Sequence, residues 1–512
     1  MTFAGRIAKE RPDEIALRDP ERTWTWAQAD AWLRPAVNAL VAADLGEHRR
    51  VAILAHNSGE TLLAYVACTL AGASAVAVNS HLTASEAAYV LRDSAAALVM
   101  CDSTTAQVAL DAAREAGVET VVAHGRGALP PRVLRLAGWG TNYSEPRTDV
   151  TPRRTLVYTS GTTGRPKGVE LPPTSWVGGA DVVEHVARLS EHSMVARGRH
   201  LVVGPMYHSG PLTSTRLFLG GAPVTVLGKF DASGLLDAIE RDRISSSIMV
   251  PTHFQRLLAL PEDVRAGRDL SSLSFVLQVG AKCPDPVKHA MIEWWGADVL
   301  FESYGASEVG TTCMISASEW LERPGSVGRA VPPFEAFVRG DDGTHLPPGT
   351  EGPLWFRDTT GFGIRYASGD RTSTDDGEFT LGEIGRMDSD GYVWITDRFS
   401  DMVVSGGVNI YPAEVERALS TMPDVADIAC FGRPDPEFGE RLVAFVVPRD
   451  TAAPPSIETI AHHARASLAG YKVPKEVFIV DALPRTAVGK LDKRAMRHMD
   501  AGDPLITPTT RG

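Results

Sequence analysis

At 512 residues the chain is too long for one compact core, so two or more domains are expected; 44% hydrophobic and 22% charged residues describe an ordinary globular protein, with disorder expected only after about Pro504. A formal net charge of −12 argues against a nucleic-acid backbone as partner, although a basic pocket for a small phosphorylated molecule can sit on an acidic surface. Five cysteines, an odd number without a Cys-x-x-Cys pair, argue against a disulfide framework and a zinc site and point to a reducing compartment.

The N-terminus lacks the basic-then-apolar pattern of a signal peptide, so a cytoplasmic protein is expected. Short apolar runs at Val51–Ala55, Ala75–Val78, Ala97–Met100 and Val121–Ala123 read as strands, with helices at Glu60–Ala71 and Gln107–Ala116 between them. The apolar stretch Leu62 to Val78 is slightly short for a bilayer and rich in Ala and Gly, and reads as a buried helix running into a strand, with no membrane span. The rhythm resumes with strands at Leu201–Val203, Val224–Leu227, Ile248–Val250, Phe275–Val279 and Val299–Phe301, and with helices at Ser233–Asp242 and Pro286–Trp294. Such alternation predicts parallel sheets covered by helices, an α/β class.

Past Phe334, Gly and Asp-rich turns separate short strand-like runs, which predicts an antiparallel subdomain. After Arg398 a compact α+β pattern follows: a helix near Ala413–Leu419, strands at Val425–Phe431 and Leu442–Val447, and a last helix after Gly489. A boundary is expected at Arg398 to Asp401, dividing the chain into residues 1–398 and 399–512.

The most informative run is Tyr158-Thr159-Ser160-Gly161-Thr162-Thr163-Gly164-Arg165-Pro166-Lys167-Gly168-Val169, which follows the strand-like Leu156-Val157. Small residues after a strand leave backbone N–H groups free to cradle phosphate oxygens, the hydroxyls add donors, and Lys167 adds a charge. A Walker loop is excluded, because that motif needs Gly directly before Lys and Pro166 stands there.

This run resembles the phosphate-binding loop of the acyl-adenylating superfamily, and further segments resemble that superfamily in the same order from Thr23 to Arg497, nearly the whole chain. The resemblance implies a large N-terminal domain of parallel βα subdomains with a small barrel-like β subdomain, then a small mobile α+β C-terminal domain. It places ATP on Thr159, Ser160, Gly161, Thr162, Thr163, Gly164 and Lys167. Glu302-Ser303-Tyr304-Gly305-Ala306-Ser307-Glu308 resembles the adenine-and-metal segment. There Tyr304 and Gly305 would face adenine, Ser307 the α-phosphate, and Glu308 with Thr159 would hold Mg²⁺. Arg398, after Asp397, would hold the ribose hydroxyls together with Glu383.

Tyr207 and His208 stand in Pro205-Met206-Tyr207-His208-Ser209-Gly210, which resembles the segment shaping the acid pocket, with His208 beside the substrate carboxylate. Amino-acid-activating relatives carry an Asp near this position; none stands in this run, which favours a simple acyl or aryl acid. Gly280, Ala281 and Lys282 lie in a loop resembling the one between adenine and acid, and Gly310 follows the metal segment. Small residues at Gly210, Gly280, Ala281 and Gly310 suggest room for a bulky hydrophobic or polycyclic acid. Gly406 and Gly407 resemble the hairpin that lets the pantetheine arm of CoA pass. Lys490 resembles the catalytic lysine that bridges carboxylate and α-phosphate.

Three positions depart from the pattern. Glu383 replaces the usual Asp after Gly382, one methylene longer, and is expected to misplace the carboxylate against ribose. Lys282 brings a long cation towards adenine or acid, and Ser400 stands where relatives often carry Asp or Lys. The first two put the efficiency of the ATP half-reaction in question.

The resemblance thus implies an acyl-CoA ligase using ATP, Mg²⁺, CoA and a carboxylic acid, and leaves a homodimer open as its assembly. Other readings stay open: an adenylation domain loading a carrier protein, a half-enzyme that thioesterifies a preformed adenylate, and an inactive nucleotide-binding protein.

Overall fold

A computed structural model describes residues 3–139, 149–159, 166–340, 342–367, 374, 376–398, 401, 403–405, 408–410, 412–435, 439–468, 470–485, 491–499 and 506–507. Runs between Arg50 and Glu170 form a seven-stranded sheet. Its order is Leu134–Arg135, Thr120–His124, Leu98–Asp102, Arg50–Leu54, Ser74–Ala77, Leu156–Thr159 and Lys167–Glu170. All neighbours are parallel except the last pair. Strands buried on both faces need no polar alternation, which explains why they read as continuous apolar runs.

The second sheet opens with the strand Ile15–Arg18, parallel to Val224–Val226, and continues through His200–Val202, Ser246–Met249, Phe275–Gln278 and Leu300–Ala306. The helices Gly59–Leu70 and Ser209–Gly220 pack on one another between the two sheets and share one apolar core with both. The stretch from Leu62 to Val78 is therefore a buried helix followed by the strand Ser74–Ala77, as expected. Among the described residues no helix is long and apolar enough to cross a membrane.

Antiparallel pairing begins earlier than expected, where Leu300–Ala306 turns back as Gly310–Ser316. It continues through Ser326–Ala330, Tyr392–Arg398, Glu383–Met387, Glu351–Asp358 and Phe334–Val338. Tyr304 and Glu383 sit four strands apart in this order, roughly 19 Å in a flat sheet at ~4.8 Å per strand. Yet the Tyr304 hydroxyl donates to Glu383 Oε2 over 2.7 Å. The sheet therefore curls sharply here, as a barrel-like subdomain requires.

Tyr392–Arg398 belongs to this large sheet, and Val403–Ser405 to a separate six-stranded one. The second of these is built on the long hairpin Val425–Asp435 and Gly439–Pro448, covered by the helices Pro412–Leu419 and Ile457–Ser467 over its own core. Helix Pro412–Leu419 also touches strand Tyr392–Arg398.

Candidate active site

Strand Leu156–Thr159 pairs antiparallel with Lys167–Glu170, with Thr159 opposite Lys167, so the two ends of the hydroxyl-rich run lie side by side. The described residues after the run are held from two sides. The Tyr89 hydroxyl donates to the Pro166 carbonyl over 3.0 Å, and the Ala367 N–H donates to the Gly168 carbonyl over 2.7 Å. Lys167 is exposed, with its ammonium 5.2 Å from the Tyr366 ring centre. Ser160, Gly161, Thr162, Thr163 and Gly164 lie outside the described residues, as do the side chains of Thr159 and Arg398 and the whole of Gly406, Gly407 and Lys490.

The turn between Leu300–Ala306 and Gly310–Ser316 presents Ser307 and Glu308. This turn is tight: a Cβ at Gly305 would overlap the Gly310 carbonyl, and Gly310 has φ +76° with Thr174 against it. Thr174 in turn donates from its hydroxyl to the Val309 carbonyl over 3.1 Å. Glu383 is only 6% exposed and stands opposite Arg398 in the strand register. Its carboxylate accepts from the Tyr304 hydroxyl over 2.7 Å, so these two side chains are joined directly. The expected misplacement of Glu383 thus meets a specific partner that holds its carboxylate.

The rings of Tyr207 and His208 meet edge to face at 4.5 Å. Burial raises the pKa of the Tyr207 phenol. Just before them, Asn57 holds the turn at both ends: its Nδ2 donates to the Gly204 carbonyl and its Oδ1 accepts from the Met206 N–H, each over 2.8 Å. Ser209 Oγ lies 3.3 Å from Ser307 Oγ. That contact brings the His208 segment against the Ser307–Glu308 turn.

Gly280 has φ +85°, and the Ala281 carbonyl accepts from Gln278 Nε2 over 2.6 Å. Lys282 keeps contact with solvent, yet desolvation by the protein packed around it lowers its pKa, with Arg417 adding to the drop and Asp285, Glu302 and Glu416 opposing it. Glu416 and Arg417 belong to the helix Pro412–Leu419. Beneath the loop, Lys288 and Glu302 form a buried ion pair, with the Lys288 ammonium 4.4 Å from the Trp320 ring centre. Burial pushes the Cys283 thiol up to about 12, which makes it a poor nucleophile.

Among the described residues no group of three or more His, Cys, Asp or Glu could hold a metal. Mg²⁺ needs no such group, since one carboxylate with phosphate oxygens and waters is a usual shell. Glu308, half-buried at its turn, is a hard oxygen donor of that kind. Asn57, Thr174, Gln278 and the Lys288–Glu302 pair escape the sequence reading. Only the position of Asn57 just past the end of a parallel strand, where such sheets bind ligands, could have flagged it.

Residues 5–363 match the model of the AMP-binding enzyme family, and residues 414–490 match that of the AMP-binding enzyme C-terminal domain. The chain is 33% identical to the indoleacetate–CoA ligase of Aromatoleum aromaticum, with 98% of both chains covered. Among solved structures it resembles the amide bond synthetase McbA from Marinactinospora thermotolerans, at TM-score 0.81 and 27% identity over 97% of this chain and 98% of that one. It also resembles the o-succinylbenzoate CoA synthetase of Bacillus subtilis in complex with its acyl-adenylate intermediate, at TM-score 0.76 and 26% identity over 98% of each. With both family models matched in order and a full-length relative above 30% identity, the chain belongs to the AMP-binding enzyme family.

Proposed function

We propose that the chain is an acyl-CoA ligase that joins a carboxylic acid to CoA through an acyl-adenylate. The observation that carries this reading is the Ser209–Ser307 contact, which sets the segment of His208 against the turn of Ser307 and Glu308 while Tyr304 and Glu383 close the nucleotide side. Full-length similarity to an indoleacetate–CoA ligase and to a feruloyl-CoA synthase of an Amycolatopsis species supports it. The alternatives of carrier loading, thioesterification alone and loss of activity are not favoured by these relatives.

In the first step a carboxylate oxygen of the acid attacks the α-phosphorus of ATP and pyrophosphate leaves. Lys167 and Lys490 stabilise the added negative charge, and His208 orients the carboxylate. Glu308, with Thr159, would hold Mg²⁺, which would supply positive charge against the phosphates. Glu383 and Arg398 hold the ribose, and Tyr304 covers adenine. In the second step the CoA thiolate attacks the acyl carbon and AMP leaves, with the pantetheine arm passing Gly406 and Gly407. Residues 1–398 and 399–512 act as two domains that turn about Arg398 to Asp401 between the steps, which removes Lys490 and excludes water. The five free cysteines fit work in the cytoplasm.

The likeness to an amide bond synthetase favours a second acceptor, an amine attacking the same adenylate. A panel of aryl and alkyl acids, each with ATP and either CoA or an amine, separates the two by product mass. Absence of both pyrophosphate release and thioester formation, including from supplied adenylates, would refute the ligase reading.

A further inference from the structure

Helix Ser209–Gly220 begins at the acid side of the site, and Ser209 and Arg216, seven positions apart, share one of its faces. Two turns separate them, roughly 10 Å along the axis. The upper end of that face touches Ser307 through Ser209. Beside it runs the segment that carries Thr174, which backs Gly310, and Trp176, whose ring lies 4.4 Å from that of the buried His185.

Arg216 is partly buried on this face, and its Nη2 donates to Thr213 Oγ1 over 3.1 Å. Among the described residues no carboxylate pairs with it. The nearby Glu184 already pairs with Arg188 over 2.6 Å and accepts from the Ala180 N–H over 2.7 Å. His185 and His192 are held below their usual pKa by burial first, with Arg216 adding to the drop. A guanidinium keeps its charge in any protein and offers five N–H donors. One largely desolvated without an anion is costly unless a ligand supplies the acceptor.

We infer that Arg216 lines the far end of the acid pocket, and that the acid carries there a second acceptor group, a carboxylate or a ketone oxygen, which the guanidinium binds. The inference rests on the acid-activating reading above and narrows it. The acid is elongated, about 10 Å between its two oxygen-bearing ends and less by whatever length the arginine reaches back. It is not apolar throughout, and a bulky ring system fits provided its distal end carries the acceptor.

The test uses three matched aryl acids that differ only at the distal end, a carboxylate, a ketone or a methyl, against wild type, Arg216→Met and Arg216→Lys. Two readouts are taken: pyrophosphate release, and the rise in melting temperature caused by each acid. Wild type should prefer the acceptor-bearing acids over the methyl acid in kcat/KM by roughly ten- to hundredfold, the scale of one hydrogen bond to a charged group. Arg216→Met should erase that preference, and Arg216→Lys should keep part of it. A wild type without the preference, or a folded Met variant that retains it, overturns the inference. If no acid releases pyrophosphate from any variant and supplied adenylates give no thioester, the ligase reading fails, and melting temperatures then decide for Arg216. A rise with acceptor-bearing acids in wild type that vanishes in the Met variant supports the inference, and equal or absent rises overturn it.

Discussion

Replacing Glu383 with Asp, the residue usual in relatives, should harm this protein. Tyr304 donates to Glu383 Oε2 over 2.7 Å across four strands of the curled sheet. Removing one methylene withdraws the carboxylate by about 1.5 Å, a C–C bond length. That takes the pair to roughly 4 Å, past the limit of a hydrogen bond. A hydrogen bond to a charged group contributes about 1.5–3 kcal/mol, and Glu383 is too buried for water to replace the donor freely. At ~1.4 kcal/mol per decade, kcat/KM for ATP should fall roughly ten- to hundredfold. The assay is pyrophosphate release at saturating acid with ATP varied, for Glu383→Asp, Tyr304→Phe and the double variant. Because both single changes break one interaction, the double variant should be little worse than either. An unchanged or improved kcat/KM for ATP in Glu383→Asp would refute the reasoning and restore the view that the longer side chain is a handicap.

Three further perturbations test other parts of the site. Asn57→Ala removes both hydrogen bonds that hold the turn before Tyr207 and His208, so KM for the acid should rise about tenfold while KM for ATP changes little, as initial rates against each substrate would show. Lys288→Met leaves Glu302 as an uncompensated buried charge and should destabilise the fold by about 3–5 kcal/mol in urea unfolding, whereas Lys288→Met with Glu302→Leu should recover most of the loss. Glu308→Gln should weaken adenylation strongly at limiting Mg²⁺ and spare thioester formation from a supplied adenylate; equal damage to both half-reactions would end the metal assignment.

What the sequence by itself determined is whatever neighbouring residues encode. The apolar runs that become Arg50–Leu54, Ser74–Ala77 and Phe275–Gln278 are buried strands, legible because a strand covered on both faces is apolar throughout. The motif segments from Tyr158 to Lys490 are contiguous and so could be matched to a family. The long helix Trp26–Ala42 carries Pro35 inside it, a residue type that locally argues for a break, and continues through it. Side-chain pairings between distant segments were decided only by tertiary structure. Glu383 read alone looked one methylene too long, because nothing local reveals Tyr304, 79 positions away, on the far side of the curled sheet. Asn57 and Met206 are 149 positions apart and meet because two sheets enclose one layer of helices. Lys288 and Glu302 carry the composition of a solvated surface, and only the packing of helix Asp285–Trp295 against strand Leu300–Ala306 turns them into a buried pair. Periodicity reports the environment of a residue along its own element, whereas the partner of a buried polar group depends on strand order and sheet curvature, which no single stretch of sequence contains.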